Sequence, residues 1–230
     1  MTERILAAHQ PQYLPYPGVI HKIAVADVFV VQDDLQFARQ EWQNRNRIRT
    51  HAGHRWLTIP VHSGHTDRIN QVMPADKAWL ATHRRIVALE YRTSRFLRRA
   101  DHIWEQVAAV RERNLAEIGL ASVKGIRELL GITTPMILES EIGLPEEATS
   151  DRDSRLQALC HRLGCSTYLS GSGARAYLDE RRWHDSGIKL AWQQYTPTRY
   201  EQLYPGWVEN LSVLDMLLCV EHPGKLVNSR

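Results

Sequence analysis

Helical and extended patterns alternate twice in the last third of the chain, and few architectures accommodate that order. SRLQALCHRLG places apolar residues three and four apart and stops at Gly164, a natural helix terminator. STYLSGSG reads as a strand entering a glycine loop, ARAYLDERRWHD as a second helix and GIKLAWQQY as a second strand. Strands joined through helices pair in parallel by crossovers, so this order predicts an α/β fold: a mainly parallel sheet with helices on both faces.

The N-terminal part fits the same plan. Residues 4–8 read as a buried strand that delivers His9 to the loop HQPQYLPYPG, whose three prolines and glycine exclude a helix. Residues 19–26 predict a short helix, and DVFVVQDD a β-branched strand ending in Asp33 and Asp34. A polar segment, LQFARQEWQNRNRIRT, comes next, then two strand candidates, RWLTIPV and RINQV, separated by the loop HSGHTD. Residues 77–130 change to amphipathic spacing, which predicts a helical insertion of two or three helices in the middle of a single domain spanning 1–230. GITTPMILESEIG returns to strand, and LSVLDMLLCV supplies a last helix expected to pack on the sheet.

Charge and cysteines narrow the setting. The 29 Lys and Arg nearly balance 26 Asp and Glu, so the net charge is +3, too small an excess to demand nucleic acid. Three cysteines cannot all pair within one chain, and none has C-x-x-C spacing. The start, MTERILAAHQPQYLP, has no apolar stretch of signal length, and no run approaches the roughly 20 residues of a membrane span. A cytoplasmic protein without a membrane partner is the expectation. The 7 Trp, 8 Tyr and 11 His each join an apolar body to a polar tip and suit wet pockets.

Four constellations carry chemistry. His9, Gln10, Gln12 and Tyr13 follow the first strand, and ligands of open α/β sheets collect beyond the carboxyl ends of strands. A histidine there can move a proton or hold an anion, whereas the bland alternative is a turn stiffened by prolines. Of Asp33 and Asp34, which point to opposite faces if the strand continues, one can orient His9, ligate a metal or bind an amine. As ordinary turn or capping carboxylates they would do none of these. Trp42, Gln43, Asn44, Arg45, Asn46 and Arg47 combine an aromatic face with amides and guanidinium groups, enough to recognise a phosphate or carboxylate. An RNA patch uses the same residue types, with Arg49 as a third cation. Ser170, Gly171, Ser172 and Gly173, held between a strand and a helix with Arg175 nearby, form a candidate anion loop. His51, His54, His62 and His65 lack metal-ligand spacing, and no metal is expected.

The run from His9 to Val61 resembles the N-terminal hallmark of the WbqC-like family. STYLSGSGARAYLD, GIKLAWQQYTPTRYEQ and LSVLDMLL resemble its C-terminal blocks. Matching positions include His9, Gln10, Tyr13, Gly18, Lys22, Asp33, Gln36, Trp42 to Arg47, Tyr168, Ser170, Gly171 and Gly173, while Tyr16 and His21 depart from the expected Trp and acidic residue. The resemblance implies a bacterial biosynthetic setting among genes for O-antigen sugars or specialised metabolites. It also places Lys22 with His9 and Asp33 as candidate catalytic groups, and Gln36 with the substrate-binding residues.

The function expected is transfer of a small acyl or aminoacyl unit, for example glycyl, to the amine of a precursor. His9 would be the base, Asp33 would position it or bind the amine, and Arg45 or Arg47 would hold an anion. The donor is an acyl or aminoacyl compound, aminoacyl-tRNA included, and no cofactor is required. The alternatives are a nucleotide- or RNA-binding protein and an ATP-dependent amide ligase. The ligase reading rests on a fainter resemblance to adenylate-forming nucleotidyltransferases, whose His-x-Gly-His signature is broken here because Gly18 and His21 lie well after His9.

Overall fold

The structure is a computed structural model and describes residues 3–227. The chain runs β1 (Ile5–His9), α1 (Pro17–Val25), β2 (Val28–Val31), the hairpin β3 (Arg45–Thr50) and β4 (Gly53–Thr58), and the short pair β5 (Val61–His62) and β6 (Met73–Pro74). The helices α2 (Trp79–Glu90), α3 (Arg99–Ala108) and α4 (Leu115–Leu130) follow, then β7 (Met136–Leu138), α5 (Glu139–Ile142), α6 (Arg152–Arg162), β8 (Thr167–Ser170), α7 (Glu180–Asp185), β9 (Lys189–Trp192) and α8 (Val213–Cys219).

Five strands form one sheet in the order β7-β2-β1-β8-β9, and every neighbouring pair is parallel. The α/β expectation holds. Because successive side chains on a strand point to opposite faces, the sheet supplies two cores. Ala7, Phe29, Val31 and Leu169 face one cluster, shared with residues of α1 to α4 and α8. Leu6, Ala8, Val30 and Tyr168 face the other, with Leu156, Leu159 and Cys160 of α6 and Trp183 of α7. Tyr168 stacks on Trp183 at 5.0 Å between ring centroids. The chain covers one face on its way from β1 through β2 to β7, then returns under the other to reach β8 and β9.

Local signals explain the element ends. Pro17 opens α1, where its missing N–H costs nothing. The Asp151 side chain accepts from the Ser154 N–H at 3.0 Å to start α6, and Gly164, at φ +63°, follows its end. Three helices fill 79–130, and they share the first core with the sheet. Gly119 of α4 lies against the 11–12 backbone, where a Cβ would approach the Gln12 carbonyl to 3.3 Å.

Four readings need correction. RNRIRT, inside the segment taken as merely polar, is strand β3: Asn46, Ile48 and Thr50 are buried, so two polar residues occupy inward positions and hide the alternation. RINQV is a 3-10 turn at Ile69–Gln71, because the Gln71 side chain turns back to accept from the Arg68 N–H at 2.9 Å. The helix expected over ARAYLDERRWHD is a 3-10 turn at Ser172–Ala176 followed by α7, which starts afresh where Asp179 accepts from the Arg181 N–H. Finally, α8 packs on α3 and β3 rather than chiefly on the sheet.

Asp215 of α8 is fully buried and accepts hydrogen bonds from the hydroxyls of Tyr91 and Tyr200, each at 2.6 Å. The Tyr91 oxygen also accepts from the Arg49 N–H at 3.0 Å, so one chain of hydrogen bonds ties β3, the end of α2 and α8 together. Burial raises the Asp215 carboxyl above its usual range, and the two phenols oppose that rise. Tyr91→Phe removes a donor from this carboxylate and an acceptor from a buried N–H. It is predicted to cost roughly 2–3 kcal/mol of stability, measured by urea unfolding; an unchanged midpoint would contradict the network's role.

Candidate functional site

The direction of winding reverses between β1 and β8, and at such a switch point the two following segments leave on opposite faces and open a crevice. His9 and Gln10 stand on one side of it. Ser170 and Gly171, just beyond the register pair Ala7–Leu169, stand on the other. Two groups of residues more than 150 positions apart in sequence thus meet at one edge of the sheet.

His9 ends β1 and is half-buried. Its Nδ1 lies 2.9 Å from the Gln10 carbonyl oxygen, which can only accept, so Nδ1 carries the proton and Nε2 presents a lone pair. Burial first, and then the positive charge of Lys22, push the imidazole down to about 4; the Gln10 hydrogen bond opposes them. Lys22 of α1 is 5% exposed, and its Nζ donates to the Ala8 carbonyl at 2.8 Å, with no carboxylate partner among the described residues. Burial lowers its pKa to about 8. Two basic groups therefore share a desolvated corner, and a negatively charged ligand would relieve both.

Two further segments border this corner. Gln43 donates from Nε2 to the Gln10 Oε1 at 2.6 Å and accepts from the Ala38 N–H at 3.0 Å, which ties the start of the hairpin to the His9 loop. Gln193, just past β9, donates to the Gly18 carbonyl at 2.8 Å and lies 3.0 Å from His21 Nδ1. The Tyr195 ring packs near His21 and Tyr16. Sequence reasoning missed Gln193, although the rule that singled out His9 applies to the residue after every parallel strand.

Several expected site residues serve elsewhere. The Asp33 carboxylate accepts from the Ser140 N–H at 3.0 Å, the Ser140 hydroxyl at 2.6 Å and Asn70 Nδ2 at 3.1 Å. It ties the loop after β2 to α5 and to the 3-10 turn at Ile69–Gln71 and is not spent on His9 or on an amine. Asp34 pairs with Arg155, which also binds the buried Glu139, and with Arg68 at 3.6 Å. Tyr13 is fully buried, with its hydroxyl 3.0 Å from His83 Nδ1 and its ring against Trp79, so it is core. Gln36 is exposed and holds the 63–67 loop through the His65 carbonyl. Gln12 is buried.

The block from Trp42 to Arg47 divides. Gln43, Asn44 and Asn46 turn inward, and Asn44 donates to the Ile59 carbonyl. Trp42, Arg45 and Arg47 stand on the outer face of the hairpin with Trp56: the two indoles are 5.2 Å apart, and the Arg45 and Arg47 guanidinium carbons lie 4.3 and 5.7 Å from the Trp56 centroid. Arg49 is buried and donates to the carbonyls of Thr50, Gly53 and Pro205, so it is not the third phosphate ligand of an RNA patch. The Ser170–Gly173 loop also departs from expectation. Ser172 and Gly173 are exposed, but the short 3-10 turn that follows offers no α-helix N-terminus, and Arg175 lies over Trp192 at 4.7 Å. Among the described residues no cluster of three or more His, Cys, Asp or Glu could hold a metal ion, and no helix is long and apolar enough to cross a membrane.

Fold and site together define a doubly wound α/β protein with a basic, partly desolvated corner at its switch point. The chain belongs to the WbqC-like protein family, whose model matches residues 10–225. It is similar to a protein of Mycobacterium tuberculosis (strain ATCC 25618 / H37Rv) named Uncharacterized protein Rv1507c, with 31% identity over 219 residues covering 94% of this chain and 93% of the relative. No solved structure matches it.

The buried ammonium has a measurable consequence. In the unfolded chain Lys22 titrates near 10.5 and in the folded protein near 8. Below pH 8 both states hold the proton, and the full cost of the buried charge stands against folding; between pH 8 and 10.5 the folded state releases its proton first and the cost fades. Lys22→Met is therefore predicted to stabilise the protein at pH 7 by on the order of 2 kcal/mol, allowing for the lost Ala8 hydrogen bond. Thermal unfolding should show the gain shrinking toward pH 10; a loss of stability at pH 7 would contradict the assignment.

Proposed function

We propose that the protein is a cytoplasmic group-transfer enzyme of a biosynthetic pathway, joining a small acyl or aminoacyl unit to an amine at the crevice between β1 and β8. The observation that carries the reading is the neutral His9, with its Nε2 lone pair free in the desolvated corner it shares with Lys22. The amine nitrogen attacks the acyl carbon, the new N–C bond forms as the bond to the leaving group breaks, and the leaving group takes the electron pair. His9 Nε2 accepts the proton that the nitrogen sheds and returns it to the leaving group. Lys22, whose ammonium predominates at pH 7, attracts an anionic part of the donor, such as a carboxylate or phosphate. That charge offsets the desolvation of His9 and raises its pKa toward the working range.

Asp33 has no part in this scheme, since its carboxylate is taken up by Ser140 and Asn70. No step is routed through ATP, because the Ser170–Gly173 loop lacks the helix that would complete a phosphate cradle. The test incubates the protein with amines and acyl or aminoacyl donors and detects the amide by mass spectrometry. His9→Ala and His9→Asn, checked for unchanged thermal midpoints, should lose about 10²–10⁴-fold in rate. Product formation at the wild-type rate in both variants would remove His9 from the chemistry.

One specific observation favours a second reading, a nucleotide- or RNA-binding protein. The outer face of the hairpin presents two indoles and two guanidinium groups together, a surface suited to a base and its phosphate. An aminoacyl-tRNA donor would unite the two readings.

A further inference from the structure

Between α2 and the start of α3 runs an open groove of about 570 Å³, within the size range of sites that accept a ligand-sized insert. Ala88 and Leu97 contribute apolar surface to it over the buried Val87 and Ala100, while Arg84, Arg85, Arg95 and Arg98 rim it against the single carboxylate of Asp101. Residues 84–99 hold six arginines and one glutamate, although the whole chain nets only +3. Arg84, Arg85 and Arg98 are exposed and make no ion pair among the described residues, and Arg95 meets only the exposed Glu221, at 3.1 Å. Arg99 is different: it donates to the carbonyls of Leu217, Val220 and Glu221 and holds α3 to the end of α8.

Four like charges around one groove repel one another, and Asp101 with Glu221 leaves them only partly neutralised. The chemistry of the groove selects among anionic occupants. A nucleic acid strand would find no ring to stack on, because Trp104 is 2% exposed and Phe96 has the Arg95 and Arg99 guanidinium carbons at 4.7 and 4.1 Å from its centroid. An apolar floor between arginine rims instead fits a helix with one apolar stripe flanked by carboxylates. We propose that this groove docks an acidic amphipathic helix of a partner protein. The inference does not depend on the reaction proposed above.

Fluorescence anisotropy with the full chain tests it. The probes are a labelled helical peptide of roughly 15 residues with leucines on one stripe and glutamates beside it, a peptide of the same composition with the stripe scrambled, and a single-stranded RNA. The amphipathic peptide should bind at least about tenfold tighter than the scrambled one, and Arg84→Glu with Arg98→Glu should weaken it by about tenfold or more. Leu97→Ser should weaken it without any change in charge, and thermal midpoints of the variants should match that of the parent. The proposal is overturned if the amphipathic peptide does not bind, if the scrambled peptide binds equally, or if RNA binds more tightly and loses affinity with the same two arginine substitutions.

Discussion

Everything at the candidate site depends on the reversal of winding at β1. Because β2 and β7 lie to one side of β1 and β8 and β9 to the other, α1 and the segment after β8 leave on opposite faces, and the carboxyl ends of two central strands lie between them. The same reversal builds two cores from alternate residues of each strand, which is why every sheet strand must be apolar on both faces. A polar residue on such a strand fits at its end. His9, Ser170 and Gln193 are found at or just past those ends.

Against that frame, the two flanks of the sheet edge use charge differently. Toward β7, carboxylates and cations are matched: Asp33 is held by Ser140 and Asn70, and Arg155 joins Asp34 to the buried Glu139. That flank is braced. At the β1 corner the half-buried His9 and the buried Lys22 meet backbone carbonyls, and among the described residues no carboxylate pairs with either. Burial lowers both pKa values, so the corner stores an unmet preference for negative charge.

Much of this was legible in the sequence. The parallel sheet followed from the alternation of segments after residue 152, and His9 from its place after an apolar strand. The limits were equally physical. Adjacent acidic residues at 33 and 34 look alike in sequence, but their partners, Ser140, Asn70 and Arg155, come from distant segments that only the fold assembles. Trp42–Arg47 reads in sequence as one recognition set, yet the two-residue period of a strand sends Asn46 inward and Arg45 and Arg47 outward. Trp56, which completes the outer cluster, comes from the facing strand, opposite Arg47. Helical spacing in ARAYLDERRWHD was real but short, and the Asp179 cap divides it.

The state of His9 is the most direct check on the account. Ring nitrogen and carbon chemical shifts, followed by NMR from pH 3 to pH 9 on selectively labelled protein, report both the protonation midpoint and the tautomer. A desolvated imidazole beside Lys22 with Nδ1–H bound to the Gln10 carbonyl should stay neutral through pH 6, keep its proton on Nδ1 and titrate near pH 4. A midpoint near that of an exposed histidine, about 6.5, or a proton resident on Nε2, would contradict the electrostatic design assigned to the crevice.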